Sequence, residues 1–123
     1  MSNSEYFLDT YALFEIVRGN PKYQIYAQAS GVTTLFNIAE FNYNLKKEIS
    51  PAEANKITDS FRQRTIKVLW EDVKEAMDLK SKKRDLSIPD AIGYTVAKRL
   101  GIKFLTGDED FKDLDNVEFV KNR

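Results

Sequence analysis

The chain has 123 residues, contains no histidine and no cysteine, and carries 19 acidic and 19 basic residues for a formal net charge of zero. The missing residue types exclude Ser-His-Asp catalysis, Cys-His catalysis and Cys/His zinc sites within the chain. With 42% hydrophobic and 31% charged residues, the composition predicts one globular domain, which we expect to span residues 1–123.

Strands and helices alternate in the first half of the chain. Thr34 and Ser50 are expected to cap helices, because each precedes an apolar pattern at helical spacing or a Pro at the first helical position. The predicted elements are a strand over 5–8, helices over 11–18 and 22–29, a strand over 31–33, and helices over 35–48 and 50–63.

The second half repeats this alternation. We predict a short β-branched strand over 65–69, helices over 70–80 and 87–100, and strands over 102–105 and 117–120. Trp70 is expected to pack between the sheet and a helix. Strands that alternate with helices indicate an α/β fold, with a largely parallel central sheet flanked by helices on both faces.

The sequence predicts no targeting segment. The polar stretch Met1–Glu5 begins no signal peptide, and no apolar run approaches the roughly 20 residues of a membrane span. The lack of cysteines means that no disulfide framework is present. We therefore expect a cytoplasmic protein that does not enter a membrane.

Four acidic residues lie where elements begin, end or turn: Asp9, Glu40, Asp90 and Asp108. Ligands of parallel sheets bind beyond the carboxyl ends of the strands, so Asp9 and Asp108 are expected to meet there. Two carboxylates about 4 Å apart repel by on the order of 4 kcal/mol at an effective dielectric constant near 20. A divalent cation would relieve that repulsion, and an all-oxygen site suits hard ions such as Mg²⁺, Mn²⁺ or Ca²⁺.

The context of these acids resembles the PIN domain over nearly the whole chain. The resemblance rests on Leu8-Asp9-Thr10, Ala39-Glu40, Pro89-Asp90-Ala91 and Thr106-Gly107-Asp108-Glu109-Asp110-Phe111, in this order. A lone domain of this size is similar to the VapC toxins of toxin–antitoxin pairs. The resemblance implies an endoribonuclease that hydrolyses RNA, a cognate antitoxin and a homodimer.

The resemblance also implies roles for individual residues. Asp9, Glu40, Asp90 and Asp108 would be catalytic and would bind one or two Mg²⁺ or Mn²⁺ ions. Asp110 matches a second acidic position that is variably used, and Thr10 and Thr106 match hydroxyl positions that orient water or metal. Gly107 departs from the residues common in the family, a change expected to give the loop more backbone freedom.

Several of these residues also have a purely structural interpretation. Asp90 lies three positions after Ser87 and fits a capping box, and Asp110 fits a cap for a turn over 111–114. The basic run could contact RNA phosphates or form a solvated loop; it comprises Lys80, Lys82, Lys83 and Arg84.

Alternative functions follow from the same pattern. A non-catalytic RNA-binding or protein-interaction domain of the PIN fold would bind its partner without using the four acids. A phosphoacceptor receiver domain is disfavoured, because Asp9 alone follows the first strand. A DxDxT phosphatase is disfavoured because Asp9-Thr10-Tyr11 lacks the second Asp.

Overall fold

The computed structural model describes residues 5–123, so the signal-peptide prediction falls largely outside the described residues. The strands are β1 (Glu5–Leu8), β2 (Ser30–Val32), β3 (Lys103–Thr106) and β4 (Val117–Phe119). The helices are α1 (Thr10–Val17), α2 (Gln24–Ala27), α3 (Leu35–Leu45), α4 (Pro51–Asp59), α5 (Trp70–Lys82) and α6 (Ile88–Leu100). Single 3-10 turns lie at Pro21–Tyr23, Arg62–Arg64 and Glu109–Phe111. Over residues 5–123, every helix is too short or too polar to cross a bilayer.

The four strands form one parallel sheet in the order β2-β1-β3-β4. Phe7 pairs with Phe104 in the central ladder, and Leu8 pairs with Leu105. Because side chains alternate along a strand, the first pair packs in one hydrophobic cluster with α6 and the second pair packs in another with α1 and α3. These two clusters confirm the predicted α/β architecture with helices on both faces.

Helix starts follow the predicted capping chemistry. The side chains of Thr34, Ser50 and Ser87 each accept a hydrogen bond from the backbone N–H three residues later. Such caps satisfy donors that have no partner within the helix. The predicted helix over 22–29 is shorter than expected, because a 3-10 turn replaces its first residues.

The predicted strand over residues 65–69 is wrong. Only Thr65 pairs with the sheet edge, through a single parallel bridge to Thr33, and the following residues are irregular. The apolar side chains of Ile66 and Val68 pack on the core cluster of α5 and α6. Their β-branched character therefore reflects burial and not strand pairing.

The prediction that Trp70 packs between sheet and helix is also wrong. Trp70 is the first residue of α5 and is 78% exposed. The buried face of α5 contains Asp72 and Ala76. At about 100° per residue, Trp70 lies roughly 200° from Asp72 and so faces away from the core.

Candidate metal centre

The carboxyl ends of the parallel strands meet at one edge of the sheet, and two predicted site residues lie there. Asp9 follows β1 directly, and Asp108 follows β3 after Gly107. The hydroxyl of Thr106, the last residue of β3, donates to Asp9 Oδ2 at 2.5 Å. The ends of the two central strands are thus joined through a site carboxylate.

Asp9 is held rigidly at the start of α1. Its backbone is extended, and its Oδ1 accepts a hydrogen bond from the Thr10 N–H at 2.6 Å as the helix N-cap. Its own N–H donates to the Leu105 carbonyl at 3.3 Å. The side chain is 1% exposed, so both of its oxygens are fixed inside the protein.

Asp108 caps the 3-10 turn at Glu109–Phe111. Its Oδ1 accepts from the Asp110 N–H at 2.9 Å, and its own N–H donates to Thr106 Oγ1 at 3.1 Å. The prediction that Asp110 caps a turn over 111–114 is therefore wrong, because Asp108 is the capping residue. Asp110 lies within that turn and is exposed.

Asp90 forms the capping box expected at the start of α6. Its Oδ2 accepts from the Ser87 N–H at 3.0 Å, and Ser87 Oγ accepts from the Asp90 N–H at 3.1 Å. Only Oδ2 is engaged in this box. The capping role therefore leaves the other oxygen of Asp90 available for a ligand.

The negative charge of Glu40 acts on Asp90, one of the other three acids. Glu40 lies in the second turn of α3 and is half-buried. Burial and then the charges of Glu40 and Asp108 raise the pKa of Asp90 to about 6, against hydrogen bonds with Ser87 that lower it. Burial also holds the pKa of Asp9 well above its usual range, with contributions from the charges of Asp90 and Asp108. The fold thus brings the four acids into one electrostatic cluster.

A buried ion pair elsewhere in the protein shows how a positive charge compensates a buried carboxylate. Asp72 is 3% exposed, yet hydrogen bonds from Arg99 and Leu69 outweigh the effect of burial and lower its pKa. Arg99 Nε lies 2.9 Å from Asp72 Oδ1. Within residues 5–123, Asp9 and the other three acids of the cluster have no Lys or Arg within salt-bridge distance. The cluster therefore has unbalanced negative charge.

The cluster fits a divalent cation in donor chemistry and in charge. All its ligand atoms are carboxylate and hydroxyl oxygens, the donors that Mg²⁺ and Mn²⁺ prefer. Over the described part of the chain, no three acidic side chains already converge closely enough to enclose an ion. Hydrogen bonds from Thr10, Thr106 and Ser87 hold the repelling carboxylates in place.

Sequence comparison assigns the family. The model of the PIN domain matches residues 6–117. The chain belongs to the PIN domain family. No relative with a curated description matches its sequence.

Solved structures agree with this assignment at the level of the fold. A toxin–antitoxin complex from Klebsiella pneumoniae aligns with a TM-score of 0.71 at 19% identity, covering 98% of each chain. The VapBC2 complex from Rickettsia felis, bound to a promoter DNA fragment, gives 0.69 at 15% identity, covering 95% of this chain and 98% of that chain. A protein from Pyrobaculum aerophilum gives 0.73 at 18% identity, covering 95% and 91%.

The sequence patterns did not lead us to one buried polar residue of this PIN domain, Asn37. Asn37 is fully buried; it donates from Nδ2 to Thr10 Oγ1 at 3.3 Å and accepts from Thr34 Oγ1 at 2.8 Å. A signal was present, because Asn37 shares the buried face of α3 with Phe41 and Leu45 at helical spacing. A polar residue on such a face requires buried hydrogen-bond partners.

Close packing around position 107, in the loop after β3, explains why this residue is a glycine. A Cβ at this position would overlap the ring of Tyr11 and the carbonyl oxygen of Val120. The sequence-based view that glycine serves here only for backbone freedom is therefore incomplete. Its absent side chain lets α1 and the C-terminal segment close on the loop between Thr106 and Asp108.

The basic run divides into two parts. Lys80 Nζ donates to the carbonyls of Leu86 at 2.7 Å and Arg84 at 3.2 Å, and so closes the loop between α5 and α6. The other three basic residues line an open polar cleft beside the 3-10 turn; its lining comprises Lys82, Lys83, Arg84, Asp85, Glu109, Asp110 and Asp113. Partial desolvation raises the pKa of Asp110, the charges of Asp108 and Asp85 raise it further, and Lys83 lowers it. Asp110 thus links the cleft to the carboxylate cluster.

Proposed function

We propose that this PIN domain is a metal-dependent endoribonuclease that hydrolyses RNA phosphodiester bonds with Mg²⁺ or Mn²⁺. PIN domains are generally nucleases. The observation that carries the proposal is the buried Asp9 carboxylate. It is surrounded by the charges of Asp90 and Asp108 and has no cationic side chain to balance it.

The metal would be held by the four acids. Asp9, Asp90 and Asp108 would be direct ligands, and Glu40 would bind directly or orient water. Asp110, at the edge of the cluster, would contribute if a second ion binds. When bound, a divalent ion offsets negative charge on phosphoryl oxygens and lowers the pKa of water.

The rest of the site prepares these ligands. Asp9 is the N-cap of α1 and Asp90 lies in the first turn of α6, where the positive ends of the helix dipoles favour carboxylate anions. The Thr106 hydroxyl fixes one oxygen of Asp9 and receives the Asp108 N–H. It thereby sets the relative positions of two ligands on different strands.

RNA would be held beside the cluster by the polar cleft. Lys82, Lys83 and Arg84 lie on the wall that faces the 3-10 turn of Asp110. Cations in this position can contact the phosphates that flank the scissile bond and so position the strand without reading its sequence. Lys80 contributes by fixing the loop that carries them.

The biological role proposed is that of a toxin in the cytoplasm, paired with an antitoxin and assembled as a homodimer. One of the aligned structures is described as a toxin–antitoxin complex, and another is described as VapBC2 bound to a fragment of its promoter. The interfaces with these partners would use large apolar side chains that lie exposed on the surface; they include Ile25, Leu35, Tyr43 and Trp70. Light scattering of the purified chain tests the dimer.

The decisive experiment measures cleavage of a broad RNA panel with Mn²⁺, with Mg²⁺ and with EDTA. We expect cleavage in both metals and none in EDTA. Asp9→Asn should abolish cleavage and Mn²⁺ binding, whereas Asp78→Asn, an exposed acid on α5, should leave both unchanged.

Two results would contradict the proposal. One is RNA cleavage that persists in EDTA or in Asp9→Asn, which would place the chemistry elsewhere. The other is a folded, metal-loaded protein that binds RNA and cuts none of it, which would favour the non-catalytic RNA-binding domain.

A further inference from the structure

We infer that Asn37 is a positioning residue of the metal centre, an inference that rests on the proposed function. Its amide donates to the Thr10 hydroxyl oxygen, so the hydroxyl proton remains for an oxygen atom at the carboxylate cluster. Among the described residues, no acceptor lies within hydrogen-bond distance of the Thr10 hydroxyl proton. Thr10 immediately follows Asp9, so this proton lies beside the most buried ligand.

The orientation of the Asn37 amide follows from its neighbours. Thr34 Oγ1 accepts the backbone N–H of Asn37 at 3.3 Å, so its own proton is free to be donated. That proton goes to Asn37 Oδ1 at 2.8 Å. The opposite end of the amide, Nδ2, must then face Thr10 as a donor.

The same amide group reaches the starts of three helices. Besides Thr10 at the start of α1, Nδ2 lies 3.5 Å from the carbonyl of Pro89, the residue before Asp90 in α6. Asn37 itself is one turn before Glu40 on α3. One side chain therefore contacts the immediate neighbours of two proposed ligands and shares a helix with a third.

Close packing against α6 confines the Asn37 side chain on the side of its Oδ1. A Cβ at Gly93 would lie 3.0 Å from Asn37 Oδ1 and 2.7 Å from Phe7 Cε1. The missing side chain at Gly93 thus gives α6 the close approach to β1 and α3 that encloses the amide. A buried amide that is held by its hydrogen bonds and by this packing can orient Thr10 reproducibly.

The test compares two Asn→Asp changes on the same helix. Asn37→Asp keeps the shape and removes the donor, so the Thr10 proton turns to the new carboxylate. The matched control is Asn42→Asp: the amide of Asn42 also donates to two side chains, Asn55 at 3.1 Å and Thr58 at 2.8 Å, on α4. Mn²⁺ affinity is measured by electron paramagnetic resonance without RNA, and kcat and KM are measured with RNA.

We expect Asn37→Asp to weaken Mn²⁺ binding about 10–100-fold, the usual effect of changing a partner of a metal ligand. The kcat should fall more than KM rises, and Asn42→Asp should match the wild type in both. Equal effects of the two variants would overturn the inference while leaving the nuclease proposal intact. Failure of the wild type itself to bind Mn²⁺ would instead overturn the proposed function and this inference with it.

A second pair of variants leaves Asn37 in place and covers the case in which Asn37→Asp does not fold. Thr10→Val removes the hydroxyl, whereas Thr10→Ser keeps it as acceptor and donor. Thr10→Val should lower Mn²⁺ affinity and kcat, and Thr10→Ser should restore them. If Thr10→Val binds Mn²⁺ and cleaves RNA as the wild type does, the hydroxyl has no role and the inference fails.

Discussion

Thr106 and Asp9, 97 residues apart in sequence, share a 2.5 Å hydrogen bond at the carboxyl ends of the two central strands. Both side chains are almost fully buried. Thr106 also accepts the backbone N–H of Asp108 through the same oxygen. One hydroxyl therefore couples the positions of two carboxylates that belong to different β-strands.

Replacing Thr106 by Val tests this coupling. Thr106→Val keeps the shape but removes the donor to Asp9 and the acceptor for the Asp108 N–H, so we expect Mn²⁺ affinity to fall about 10–100-fold. Isothermal titration calorimetry measures the affinity. Thr106→Ser serves as the control because it retains the hydroxyl, and an affinity of Thr106→Val equal to that of Thr106→Ser would show that the bond is dispensable.

The free energy of unfolding of the metal-free protein should depend on pH because Asp90 titrates. Its folded pKa of about 6 exceeds the ordinary aspartate pKa of 3.8, so the native state holds the proton in a range where the unfolded state has lost it. Stability from this group is therefore fully present below about pH 4 and is lost as pH rises towards 6. At about 1.4 kcal/mol per pKa unit, the loss is roughly 3 kcal/mol.

Asp90→Asn removes this titration. The metal-free variant should be more stable than the wild type at pH 7 by up to that amount, and the difference should shrink towards pH 4. Urea denaturation between pH 4 and 7 measures it, a range that lies above the lowered pKa of Asp72. A stability difference that is constant over this range would contradict the assignment of the titration to Asp90.

A divalent metal should restore, at neutral pH, the stability that the protein loses when Asp90 ionises. Binding to the native state alone stabilises it by about 2.7 kcal/mol when the free ion is at 100 times its Kd, so Mn²⁺ should raise the melting temperature. EDTA should restore the original value. Asp9→Asn should show no Mn²⁺-dependent shift, whereas Asp78→Asn should shift as the wild type does; a shift that survives in Asp9→Asn would place the ion elsewhere.

Gly107→Ala should destabilise the protein by about 1–3 kcal/mol, the usual cost of forcing extra volume into a packed region. The new methyl group would press on the Tyr11 ring and the Val120 carbonyl. Because the displaced loop carries Thr106 and Asp108, Mn²⁺ affinity should fall as well. The comparison variant is Gly101→Ala, which has open space at Cβ but a left-handed backbone; it should lose stability and keep Mn²⁺ affinity.

Removing the positive charges of the cleft should weaken RNA binding and make that binding less dependent on salt. The triple change of Lys82, Lys83 and Arg84 to Ala removes up to three phosphate contacts, so the slope of log affinity against log salt should become shallower by about 2, at roughly 0.7 per contact for a single strand. Fluorescence anisotropy with Asp9→Asn as the background avoids cleavage. Lys103→Ala, at the far end of β3 from Thr106, should change neither affinity nor slope.

Local signals in the sequence were sufficient for most of the alternating strands and helices, and they singled out the four acids as the predicted site. Capping by Thr34, Ser50 and Ser87 depends on residues three positions apart, and the sheet follows from the alternation itself. The family pattern placed Asp9 and Asp108 after strands. The parallel topology then requires both to lie at the same edge of the sheet.

Only the tertiary structure decided the features that depend on residues distant in sequence. Residues 65–69 were predicted to form a strand, but Ile66 and Val68 pack on the core of α5 and α6 and do not pair with the sheet. Gly107 is required because Tyr11 and Val120 approach it from opposite parts of the chain. The partners of Asn37 and Lys80 are likewise set by packing, because a buried polar group takes whichever partner the fold brings within reach.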